Sequence, residues 1–146
     1  MRIVIITQNE PFYLVNNLKY LIKILPNHSK IVGCVVTDVS PFGKKESFIT
    51  KAFKTLNIFG IKFFTYYTIK FLKSKLSSKN NIFEFLKSNN ISKIILDEPI
   101  NNSNSVKKIK LFHPDLLVSI LGNQLFKSPI LNLAPKGCIN LHTALL

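Results

Sequence analysis

The chain has 146 residues, enough for one domain with a real core, and 47% hydrophobic content with twelve Phe and four Tyr excludes a disordered polypeptide. Its formal net charge is +13, but Arg2 is the only arginine; base readout and bidentate phosphate clamps favour arginine, so nucleic acid is an allowed partner that the composition does not favour. No stretch of about twenty residues is free of charge, which excludes a spanning helix, and the apolar run after Arg2 is too short for a signal peptide, leaving the cytoplasm as the expected compartment.

Residues 2–7 (Arg-Ile-Val-Ile-Ile-Thr) form a β-branched run that predicts a strand buried on both faces, as in parallel sheets. Polar Gln8, Asn9 and Glu10 follow, and Pro11 suits the first turn of a helix. From Phe12 to Leu25 the apolar positions Leu14, Leu18, Leu21, Ile22 and Leu25 recur at helical spacing, and Pro26 ends the run. Residues 29–39 predict a second strand, completing a βαβ unit with a right-handed crossover. A dinucleotide-binding fold would place Gly-x-Gly-x-x-Gly after the first strand; Thr7-Gln8-Asn9-Glu10 holds no glycine, so a dinucleotide cofactor is not expected. Gln8, Asn9 and Glu10 read first as solvated loop residues, with a place along a substrate as the alternative.

Residues 40–45 read as a loop, and residues 46–76 as one or two helices broken near Asn57 to Gly60. Here Phe53, Phe59, Phe63, Tyr66 and Tyr67 alternate with Lys51, Lys54, Lys62, Lys70 and Lys73. The pattern favours a helix that packs its aromatic stripe on the sheet and turns its lysines to water. The alternative is a basic module that binds an anionic membrane surface or a nucleic-acid backbone. Residues 80–90 predict a short helix, and residues 92–96 a strand. Asn101 to Ser105 offer N-caps for a helix over Val106 to Phe112. Leu116 to Leu121 predict another buried strand, Gly122 opens a loop, and Pro129 to Leu133 form a short helix. With no repeat and no linker, the chain reads as one three-layer α/β domain, a Rossmann-like sandwich whose mostly parallel sheet uses strands near 2–7, 30–37, 93–96, 115–121 and 137–142. Cys34 and Cys138 sit in apolar strand-like runs with no Cys-x-x-Cys, which points to free thiols; no metal site is expected.

The final stretch, residues 137–146, starts on Gly137 and carries Asn140 and His142 two residues apart. The side-chain period of a strand is two, so these would share one face, with Ile139 and Leu141 on the other. An amide there can donate to a developing oxyanion, and an imidazole can move a proton near neutral pH. A buried strand with two locally satisfied polar groups fits the same residues.

Residues 140–146 (Asn-Leu-His-Thr-Ala-Leu-Leu) resemble the Asn-x-His-x-Ser-Leu-Leu-Pro signature of folate-dependent formyltransferases, with Ala144 in place of the commoner Ser. Residues 113–126, from His113-Pro114-Asp115 to Phe126, are similar to the same family's segment of Pro-Asp-Leu, apolar strand and cofactor loop. The resemblance runs from Pro114 onward and is nearly absent between Pro41 and Ile91. It implies transfer of a formyl group from N10-formyltetrahydrofolate to a primary amine, most plausibly an amino sugar on a nucleotide carrier. It further implies that backbone groups of Asn123, Gln124, Leu125 and Phe126 hold the pterin-like ring. Asn140 would then donate to the formyl oxygen, and His142 would steer the proton of the attacking amine or polarise the same carbonyl. Open parallel sheets bind ligands beyond the carboxyl ends of their strands, where both segments fall. The family also uses an aspartate well downstream of the histidine, which neither Asp97 nor Asp115 matches. Residues 1–146 are therefore expected to be a formyltransferase N-terminal domain, incomplete at its C-terminal end and inactive alone.

Overall fold

In the computed structural model, which describes residues 1–37, 47–76, 80–122 and 124–141, the β-branched run at the start forms β1 (Arg2–Gln8), the central strand of the sheet. It is followed by α1 (Leu14–Ile24), β2 (Lys30–Thr37), α2 (Phe48–Leu76), α3 (Ile82–Ser88) and β3 (Ser92–Ile94). The chain then forms α4 (Ser103–Lys110), β4 (Leu116–Ile120), α5 (Ser128–Leu131) and β5 (Cys138–Leu141). The five strands lie in the order β3-β2-β1-β4-β5, every neighbouring pair parallel. This is the expected α/β Rossmann-like sandwich. The expected loop at 40–45 lies outside the described residues.

Alternation along β1 divides the core. Ile3 and Ile5 face a cluster with Leu14, Leu18, Phe85 and Leu86 from α1 and α3, whereas Val4 and Ile6 face Ile109 of α4 and Ile130 of α5. The chain leaves β1 toward β2 and β3, then returns to the other side of β1 for β4 and β5. Right-handed crossovers in opposite directions put their helices on opposite faces. The reversal leaves a crevice beyond the carboxyl ends of β1 and β4.

Helix boundaries follow local caps. α1 starts at Leu14, two residues later than expected, because the Glu10 carboxylate first collects the amides of Phe12, Tyr13 and Leu14 at 2.8, 2.8 and 3.0 Å. α4 starts at Ser103, three residues before the expected Val106, because the Asn102 side chain accepts from the Asn104 amide at 2.9 Å. β3 stops at Ile94, short of the expected Leu96, since its only partner strand, β2, pairs with it from Gly33 to Val35.

The break expected in α2 falls at Gly60, whose φ of 74° and ψ of 172° interrupt the helix. The expected packing of its aromatic stripe on the sheet is not what the structure shows. None of the described α2 side chains enters either core cluster, and Phe53, Phe59 and Tyr66 are exposed. The helix instead touches the segment after β1. Tyr67 meets the Phe12 ring edge-on at 5.2 Å, the Lys70 ammonium lies 4.5 Å from the Tyr13 ring centre, and the Ser74 hydroxyl donates to the Pro11 carbonyl. With Gly60 out of helical geometry, the apolar positions before and after it do not share one continuous face.

Candidate active site at the carboxyl ends of the strands

The crevice is built from strand ends that are tied to one another. The Gln8 side-chain amide donates to the Leu121 carbonyl, bridging β1 to the end of β4. The Asn9 amide donates to the Thr37 carbonyl at 2.8 Å, and the Thr37 hydroxyl to the Thr7 carbonyl at 3.0 Å, bridging β1 to β2. The Gln8 and Glu10 side chains are thus structural ties, whereas Asn9 is tied through its backbone amide and keeps an exposed side chain. Glu10 has a further consequence: its carboxylate sits on the first amides of α1, where an open parallel α/β fold often binds phosphate.

Leu121 leaves β4 with φ of 58°, unusual for a branched side chain, and turns the chain into the loop that begins at Gly122. A Cβ on Gly122 would lie 2.4 Å from the Ser119 hydroxyl, so only glycine passes this point without displacing a neighbour. The loop is latched to the β3–α4 connection. Asn101 donates from Nδ2 to the Leu125 carbonyl at 2.7 Å, while its Oδ1 accepts the Lys127 amide at 2.7 Å. The Ile100 amide donates to Gln124 Oε1 at 2.9 Å. Ile6, Thr37, Ile100, Gly122, Gln124 and Phe126 line a narrow cleft at this place, apolar on its walls and polar at Thr37 and Gln124. Of the expected cofactor loop, Gln124 and Phe126 line the cleft. Leu125 is exposed and engages Asn101 through its carbonyl, and Asn123 lies outside the described residues.

Asn140 lies on β5 opposite Ser119, which pairs in turn with Ile6. Cys138, two residues earlier, packs with the cluster that also holds Phe126, so the strand period sets Asn140 on the same face as Phe126. Two strand spacings, about 10 Å, separate Asn140 from Ile6 at the cleft. Asn140 is exposed, and Ile139 and Leu141 on the opposite face are about half exposed as well. His142 lies outside the described residues.

Asp97 and Asp115 are both engaged elsewhere in the fold. Asp115 accepts the Arg2 amide at 2.6 Å at the amino end of β1, where the Arg2 guanidinium also binds the carbonyls of Phe112 and His113. Asp97 pairs with Lys108 at 2.6 Å, and the hydrogen bond from that ammonium holds its carboxyl below the usual range. The pair borders a surface hollow of about 390 Å³ alongside α4, away from Asn140. Cys34 and Cys138 are free thiols on β2 and β5, strands separated by β1 and β4, so they cannot bridge to each other. Among the described residues no three His, Cys, Asp or Glu side chains group as metal ligands.

Sequence reading alone missed Ser119, Asn101 and Thr37. Ser119 was hidden inside an apolar strand; Asn101 looked like one of several polar loop residues.

A five-stranded parallel sheet with its crevice between β1 and β4 defines a Rossmann-like α/β domain. No family model matches the chain. A stretch of 52 residues, 36% of the chain, is 36% identical to methionyl-tRNA formyltransferase of Borrelia hermsii (strain HS1 / DAH) and covers 17% of that protein. The methionyl-tRNA formyltransferases of Borreliella burgdorferi strains ZS7 and ATCC 35210 are 38% identical, also over 52 residues and 17% of their length. The chain therefore spans only a small part, about one sixth, of the length of the curated formyltransferases it matches.

Proposed function

We propose that this domain takes part in transferring a formyl group from N10-formyltetrahydrofolate to a primary amine. The observation that carries the reading is the position of Asn140: on the same sheet face as Phe126, two strands across from Ile6 of the cleft. N10-formyltetrahydrofolate supplies the formyl carbon when bound. The cleft is closed to a ring as it stands; in this reading the flat ring lies at its mouth, where Phe126 offers an apolar face and Thr37 and Gln124 polar edges. In this reading the Asn140 side-chain amide donates to the formyl oxygen as it gains charge under attack by the amine. His142 receives the proton that the amine gives up, so that it can return to the departing nitrogen.

The acceptor we propose is an amino sugar on a nucleotide carrier. Arg2, the only arginine, spends its guanidinium on the carbonyls of Phe112 and His113, which leaves lysine alone for phosphate contacts. The second reading, methionyl-tRNA, is supported by the names of the matched relatives.

The test is a formyl-transfer assay with both acceptors, comparing the protein with its Asn140→Ala variant. Removing an oxyanion donor is expected to lower kcat by roughly 10²–10³. Equal rates for both proteins would remove Asn140 from the site, and the better acceptor decides between the two readings.

A further inference from the structure

We propose that α2 docks the protein on an anionic phospholipid surface, lying in the interface rather than crossing it. At about 3.6 residues per turn, Ile61, Leu72, Leu76 and Ile69 fall on one stripe of the arm after Gly60. These four side chains are 66%, 54%, 88% and 50% exposed, and the one polar group among them, the Thr65 hydroxyl, is turned back onto the Ile61 carbonyl; a soluble surface does not explain four such aliphatic groups on one stripe. Lys62 and Lys73, both exposed, border one edge of that stripe together with Tyr66. The opposite side of the arm, through Tyr67, Lys70 and Ser74, holds the helix to residues 11–13. The anchored side thus faces the domain and the apolar stripe faces outward.

Charge selects the occupant. The helix carries six lysines and no acidic residue. A second copy of the same helix would bring lysine rows together, and a nucleic-acid backbone would leave the aliphatic stripe in water. An anionic bilayer surface takes both, with isoleucine and leucine at the acyl boundary and lysine ammonium groups at the lipid phosphates. No helix among the described residues is long and apolar enough to cross a membrane, which agrees with a helix lying on the surface. Because the anchored side grips residues 11–13, just beyond β1, docking sets the carboxyl ends of the strands close to the lipid.

The experiment is co-sedimentation with phosphatidylcholine vesicles made with and without phosphatidylglycerol. Binding is expected only with phosphatidylglycerol present. Ile61→Ser with Leu72→Ser keeps the charge and is expected to weaken binding at least roughly tenfold. Lys62→Ala with Lys73→Ala is expected to weaken it roughly 25-fold, at about fivefold per lysine. Lys19→Ala with Lys23→Ala removes the same charge from the exposed side of α1 and is expected to change little. All six positions are exposed, and thermal melting of each variant checks that the fold is kept. No binding to phosphatidylglycerol, unchanged binding by the stripe pair, or an equal loss from the α1 pair overturns the proposal. So does tighter binding to a single-stranded RNA oligonucleotide through the same residues, or lipid-free dimers that the stripe pair abolishes.

Discussion

The carboxylate of Glu10 accepts the amide of Leu14 at 3.0 Å, closing the amino end of α1 with a side chain from the loop before it. The same carboxylate also takes the amides of Phe12 and Tyr13. A negative group at this end satisfies amides that have no helical partner and offsets the positive end of the helix dipole. Glu10→Ala is expected to cost about 1–2 kcal/mol in unfolding by urea, and Glu10→Gln less, because the amide oxygen still accepts. Equal losses from both variants would assign the effect to something other than the amides.

Gly122 and Ser119 form the tightest point of the crevice. Gly122→Ala is expected to destabilise by about 1–3 kcal/mol, since Ser119 is buried and its hydroxyl has little room to retreat. With Ser119→Ala added, the nearest atom to the new Cβ becomes the residue-119 Cβ at 3.7 Å, an ordinary contact. The double variant is therefore expected to recover most of the loss, read as a coupling energy in a double-mutant cycle. Additive losses would contradict the geometry.

Asn101 holds the loop on which the proposed ring site depends. Asn101→Ala removes both latches, to Leu125 and to Lys127, and is expected to weaken binding of a folate analogue by roughly tenfold in calorimetry, the worth of about 1.4 kcal/mol. Asn101→Asp keeps the acceptor for the Lys127 amide but loses the donor to Leu125, so an intermediate affinity is expected. A tight-binding Asn101→Ala protein would show that the loop holds its shape without the latch.

Burial pushes the Cys34 thiol from its ordinary 9.0 up to about 12, and burial also raises Cys138, though it is less enclosed. Thiolate is the reactive form, so a disulfide reagent at mildly alkaline pH is expected to label Cys138 first and Cys34 only on unfolding. The folded chain holds the Cys34 proton more tightly than the unfolded chain does. Its contribution to stability is therefore complete below about pH 9 and declines as pH rises toward 12. Cys34→Ala is expected to flatten that part of the stability profile relative to the unaltered protein.

Much of the fold was written in short-range pattern. The β-branched run at residues 2–7 predicted a strand buried on both faces, and β1 is the centre of the sheet. The spacing of Leu14, Leu18 and Leu21 predicted α1, and the glycine near 60 predicted the break in α2. Each of these depends on neighbours a few residues apart, which the linear order displays. The pairing of Asn140 with Ser119, the latch from Asn101 to Leu125 across 24 residues, and the tie from Arg2 to Asp115 across 113 do not. A polar residue bound to a distant carbonyl looks in sequence like one bound to water, which is why Gln8 and Glu10 read as loop and Asn101 as one asparagine among several. The aromatic stripe of α2 was misread for the same reason. Composition shows that a face is apolar, but whether the sheet has room to cover it depends on what α1 and α3 already bury there, and that is settled only when the chain packs.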